Sequence, residues 1–151
     1  MVVDFAITAP YTHHQPRDLC SRGTRILGVY TFSGITMGLG SSDIHRNAYR
    51  YNVSANTRTA LPDVPDTLGK IAAAASVVGD TAYVIGGYHV LNGPPYEVSS
   101  NRVHRLDLST DTWMPNGANI PVPIDDQVQA VWRDSLIYVI KAGAITPFRN
   151  S

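Results

Sequence analysis

The chain has 151 residues, with 12 basic and 12 acidic side chains, and is 44% hydrophobic and 16% charged. This composition describes a neutral globular chain of one domain or less. Lys and Arg are scattered singly except around Arg17, Arg22 and Arg25, so the clustered cations that nucleic-acid binding needs are missing. The single Cys20 excludes an intramolecular disulfide and a cysteine zinc site, and no run of about 18 apolar residues predicts a membrane span. The opening MVVDFAITAPYTHH lacks the basic stretch that precedes the apolar run of a secretory signal.

In chain order, residues 1–24 hold His13-His14 and Pro16 and read as a segment outside any repeat. Residues 25–65 read as a partial unit containing YTFSG. The run 71–78 is small and apolar; Gly79-Asp80 marks a tight turn, and a β-rich run over 82–85 closes on Gly86-Gly87. These are two antiparallel strands, although the alanines at 72–75 make helix the competing reading. A Gly- and Pro-containing loop follows over 88–100. The segment VHRLDL then alternates Val103, Leu106 and Leu108 with polar positions, and a turn at 109–112 leads to Trp113 and a short fourth strand. A second hairpin is expected over 127–141 around Arg133-Asp134-Ser135. The tail KAGAITPFRNS (141–151) again lies outside the pattern.

Self-comparison shows why the pattern is a repeat. An offset of 55 overlays 47–85 on 102–140 with seven identities, where unrelated segments give about two. It places Tyr83 on Tyr138 and Asn52, Asn56 and Thr57 on Asp107, Asp111 and Thr112. A third copy upstream aligns Tyr30, Ser33 and Gly34 with Tyr83, Gly86 and Gly87 at an offset of 53. Four short strands cannot bury both faces alone, so the units are expected to stack face to face as propeller blades do.

AAAASVVGDTAYVIGG followed by NRVHRLDLSTDTW resembles the kelch repeat: a hairpin closing on a double glycine, a third strand, a polar turn and a tryptophan. Gly86, Gly87 and Trp113 are the matching positions, Leu106 stands where the family often has Tyr, and Tyr83 and Tyr138 mark the second strands. The resemblance implies an all-β fold of four-stranded antiparallel kelch-type blades. Arg58 replaces the tryptophan in the first copy, and Lys141-Ala142 the double glycine in the third. A ring needs four to eight blades of about 45 to 55 residues, so an incomplete propeller is expected: a partial blade at 25–65, a full blade at 66–120 and a partial blade at 121–140. Open sheet edges then invite self-association. Trp113 is expected to fill the gap between its own blade and the next.

Five residues are candidates for ligand contact on the rim: His45 and His89, placed in loops after the double-glycine position, with Tyr88, Asn92 and Tyr96. The Tyr- and Pro-rich loop YHVLNGPPYEVSS favours a protein partner, since aromatic anchors enrich at interfaces. No catalytic or metal-ligating set is assigned, and no cofactor or membrane partner is expected. Adjacent His13-His14 lack helical ligand spacing, Gly34, Gly38 and Gly40 lack a phosphate-loop pattern, and Asp125-Asp126 read as a linker pair. The alternative is a carbohydrate-active propeller of sialic acid mutarotase-like or galactose oxidase-like type. The copper and Cys-Tyr crosslink of the latter find no matching ligand set around Cys20.

Overall fold

The computed structural model describes residues 3–10, 26–36, 40–141 and 144–149, arranged in three antiparallel sheets. Strands β1 (Val3–Pro10), β2 (Ile26–Ile35), β3 (Ile44–Asn52) and β4 (Thr57–Leu61) pair in that order as the first blade. The second blade pairs β5 (Ile71–Val78), β6 (Thr81–Val90), β8 (Val103–Asp107) and β9 (Thr112–Met114), with the short β7 (Glu97–Ser99) added to the far end of β6. The third sheet is β10 (Val128–Trp132), β11 (Leu136–Lys141) and β12 (Ala144–Arg149).

Two stretches read as lying outside the repeat therefore hold strands. β1 falls within 1–24 and completes the first blade, and β12 falls within 141–151 and pairs with β11. Neither carries a motif residue of the repeat, and Pro147 sits in β12, an edge strand of its sheet, where proline is best tolerated. Cys20, His13, His14 and Gly38 lie outside the described residues.

The alanine-rich run 71–78 is a strand, because burial between sheets overrides helix propensity. β5 lies against β1 on one side and β10 on the other, so the first strand of each sheet faces a common axis. Ala72 to Ala75 place small side chains at this position. The hairpins 71–87 and 127–141 thus share this inner position. Gly79-Asp80 closes one, with Val78 opposite Thr81. Residues 133–135 close the other, with Trp132 opposite Leu136.

β6 shows how one sequence period serves two interfaces. Ala82 and Val84 join Tyr30, Phe32, Ala48, Leu61, Val64 and Leu106 in the core between the first and second blades. Tyr83 and Ile85 turn the other way and join Val103, Ile120, Ile124, Ile137 and Val139 between the second and third. Successive side chains of a strand point to opposite faces, so a blade covered on both sides reads as a continuous apolar run.

The duplication is visible residue by residue. Asn52 Oδ1 accepts the Ala55 N–H at 3.0 Å, and Asp107 Oδ1 accepts the Ser109 N–H at 2.8 Å, so each side chain caps its own turn. Asn56 and Asp111 then take positive φ values of 52° and 56°. Ser33-Gly34 repeats the backbone of Gly86-Gly87, all four with positive φ.

Candidate functional site

The turns at 79–80 and 108–111 gather at one end of the second blade, since Val78 pairs with Thr81 and Thr81 with Asp107. The segments 40–43 and 91–96 emerge at the opposite end. They meet there, the Ser41 hydroxyl donating to Asn92 Oδ1 at 2.6 Å. Gly93 O accepts from Tyr96 N–H at 2.8 Å and Tyr96 O from Leu91 N–H at 2.6 Å, so 91–96 is a closed tip on the β6–β7 hairpin. Tyr96 is 59% exposed and Val98 42%, which makes the hairpin the apolar prominence of this face. Asn92 is exposed beside them, while Tyr88 is half-buried at the hairpin base.

The histidines are placed differently from the loop positions expected. His45 is the second residue of β3 and His89 the ninth of β6. Both are partly covered: His45 pairs opposite Gly34, and the hairpin prolongs β6 beyond the double glycine and draws His89 into the ladder. The His89 ring bonds inward through Nδ1 to Gly69 O at 2.9 Å, and its Nε2 stands 3.8 Å from Asp66.

Below the face lies a buried ionic cluster that sequence reasoning missed. Asp66 and Lys70 come from the linker between the first two blades, and His104 from β8. Asp66 Oδ2 lies 2.9 Å from Lys70 Nζ and 3.0 Å from His104 Nε2, while Lys70 Nζ and His104 Nε2 are 3.0 Å apart. Arg102 NH1 reaches Asp66 Oδ1 at 3.3 Å, the Thr67 N–H donates to the same oxygen at 2.8 Å, and Asn116 Oδ1 faces His104 Nδ1 at 2.9 Å. Burial raises the Asp66 carboxyl, but hydrogen bonds from His104, Lys70 and Thr67 with the Lys70 charge outweigh it and hold the group well below the usual carboxylate range. Burial pushes the Lys70 ammonium down, Arg102 adds to that, and Asp66 opposes it. The carboxylate, ammonium and imidazole thus touch one another in a closed triangle, a buried ionic set joining linker to blade.

A second polar group joins β7, the linker before β10 and the end of β11. Asp125 accepts from the Ser99 hydroxyl and the Lys141 ammonium, and those bonds lower its pKa against the effect of burial. The Tyr88 phenol is raised by burial and by Glu97, Asp126 and Asp125. Asp126 turns with a positive φ of 47°, its N–H donating to Ala72 O at 3.1 Å. Of the adjacent acids, Asp125 is thus held through its carboxylate and Asp126 through its backbone N–H. Among the described residues no three His, Cys, Asp or Glu side chains are grouped as metal ligands.

The motif positions are in the interior. Adding a Cβ at Gly86 would bring it within 2.4 Å of Ile124 O, and at Gly87 within 2.8 Å of Ile71 O and the Ala73 Cβ. Tyr83 is buried in β6, and Tyr138 is half-buried in β11. The Trp113 indole faces the preceding blade rather than the next: its ring meets Phe32 edge-on at 5.6 Å, and its N–H donates to Pro62 O at 2.8 Å. At the matching position Arg58 lays its guanidinium over the Tyr49 ring at 4.0 Å, within its own blade.

The kelch motif profile matches residues 72–115. No curated protein matches the chain. Among solved structures, YjhT is similar with a TM-score of 0.56 and 23% identity over 75% of this chain. The chain spans 30% of the length of that structure. The profile covers the hairpin with its double glycine, the third strand and Trp113, the elements that form the second blade. The chain therefore carries a kelch repeat, set among antiparallel blades of kelch β-propeller type.

Proposed function

We propose that this kelch-repeat module binds a protein partner through the face formed by 40–43 and the 88–99 hairpin, and works as part of a larger propeller. The observation that carries the reading is the hairpin tip. It exposes Tyr96 and Val98 on a loop closed by its own backbone bonds and tied to the neighbouring blade by Ser41. An aromatic side chain on such a braced loop offers contact area at low entropic cost. His89, Asn92 and Tyr88 surround it, with His89 as support rather than contact. Photo-crosslinking with the reactive group at Tyr96, against the same group at Thr110 on the opposite end, tests the reading. Recurrent, competable protein adducts from Tyr96 alone are expected; equal adducts from both ends would reject it.

A carbohydrate-active role draws support from a different observation, the acids Glu97, Asp126 and Asp125, whose charges act on the Tyr88 phenol. Aromatic and carboxylate groups at one opening suit sugar hydroxyls and acid/base work. A sugar mutarotation that disappears in Asp126→Asn, with folding intact, would select this reading over the first.

A further inference from the structure

The sequence holds two Asn-Gly pairs, Asn92-Gly93 and Asn116-Gly117. In such a pair the glycine nitrogen can attack the preceding carboxamide carbon, because no side chain crowds its approach. Whether it does so in a folded chain depends on what holds the nitrogen and the carboxamide.

The two pairs are held very differently. The Gly117 N–H donates to Val103 O at 2.9 Å, and Asn116 Oδ1 is fixed against the buried His104 ring at 2.9 Å. Attack there would break a bond to the third strand and disturb the ionic cluster. At the other pair, among the described residues, no acceptor engages the Gly93 N–H. Nothing lies within 4 Å of where a Gly93 Cβ would be, so the surroundings of this residue are open. Asn92 is exposed, and the Ser41 hydroxyl donates to its Oδ1 at 2.6 Å. That oxygen takes up negative charge when the carboxamide carbon is attacked, so a donor aimed at it stabilises the developing oxyanion.

We propose that Asn92-Gly93 is a self-modification site, converting to aspartate and isoaspartate, with the Ser41 hydroxyl supporting the charge on the reacting oxygen. The Gly93 nitrogen bonds to Asn92 Cγ as its proton passes to solvent base. The tetrahedral centre collapses by breaking the bond to the carboxamide nitrogen, which takes a proton and leaves as ammonia. Water then opens the five-membered imide at either carbonyl. One water is consumed, one ammonia is released, and a neutral side chain becomes an anion on the exposed face. The facing segment 40–43 already carries Asp43, so the new charge weakens the bridge between the two blades' loops.

The test is incubation of the folded full chain at mildly alkaline pH and physiological temperature, followed by peptide mapping for a mass gain of about 1 Da and for isoaspartate. Conversion at Asn92 is expected to run at least about tenfold faster than at Asn116, the factor equivalent to about 1.4 kcal/mol. A urea-denatured sample should lose that difference. Gly93→Ala should suppress conversion at Asn92; the variant fits the open space around that position. Ser41→Ala should slow it about threefold, far less than loss of a donor in a water-excluded oxyanion hole, since water replaces the hydroxyl. Equal folded-state rates at the two sites, or no conversion at Asn92 while the denatured sample converts, would overturn the site. An unchanged or faster rate in Ser41→Ala would remove the hydroxyl from the reaction.

Discussion

Trp113 shows how one side chain can join two blades. Its ring meets Phe32 of the first blade and His104 of its own, and its N–H reaches Pro62 in the connection between them. The indole is only partly buried, so its removal should cost less than the 3–5 kcal/mol of a fully buried aromatic. Trp113→Ala is expected to lower stability by about 2 to 4 kcal/mol, and Trp113→Phe by about 1 kcal/mol for the lost hydrogen bond. Urea unfolding followed by circular dichroism measures both, and a cost within 0.5 kcal/mol of zero for Trp113→Ala, roughly the range of ordinary surface changes, would contradict the bridging role. The motif made this residue easy to single out, but the direction it faces depends on which neighbour supplies Phe32. Nothing in the residues around 113 encodes that partner. Asp66, Lys70 and His104 were harder still: two stand in an irregular linker, and the third is 38 positions from Asp66. Each alone reads as an ordinary polar residue, and only folding supplies the shared desolvation that couples them.

At the scale of elements, strand existence was legible where both periodicity and the duplication spoke for it, as in β5, β6, β8 and β11. β1 and β12 were not, since inner and edge strands held by neighbours need no motif of their own. His89 was misplaced for a related reason: β7 pairs with Tyr88 to Val90 and extends β6 through what reads as a loop. The double glycine allows a direct comparison of two constraints on a hairpin. Gly79 has φ of 56° with nothing within 4 Å of a built Cβ, whereas Gly86 has φ of 68° and Ile124 O at 2.4 Å. Gly79→Ala should therefore cost only the left-handed backbone term, about 1 to 2 kcal/mol. Gly86→Ala adds a backbone clash with the linker to the third sheet and should cost at least about 3 kcal/mol. Thermal unfolding of the two variants side by side measures the difference. Similar melting temperatures would mean that the linker yields without cost.

Across the whole molecule, the blades are joined by charge as well as by apolar cores, and this gives stability a defined acid limb. The Asp66 carboxyl lies well below its unfolded value of about 3.9, and Asp125 and Asp107 are shifted the same way. A group with a lowered folded pKa binds its proton more readily when unfolded. Its contribution is therefore complete above about pH 4 and is lost as pH falls toward the folded value. Unfolding free energy should fall steeply below about pH 4. In Asp66→Asn the slope there should be shallower, with lower stability at neutral pH because Lys70 keeps a buried charge without its carboxylate. Denaturant titrations at a series of pH values check both points; parallel curves for the two proteins would remove Asp66 from the acid limb.

Among the differences between the two matched turns is an amide at Asn56 where the second has a carboxylate at Asp111, and that difference bears on how freely blades can be exchanged. Asp111 reaches back to the first blade, accepting from the Arg50 guanidinium and from the Tyr30 hydroxyl at 3.2 Å, whereas Asn56 accepts from Tyr51 of its own sheet at 2.7 Å. The duplicate copies have thus become specialised for their places in the row. A chimera with the first turn grafted into the second position would present Arg50 with a neutral amide, keeping the shape of the joint but not its charge. The order of the units is written into turn chemistry, so units related by descent are no longer interchangeable parts.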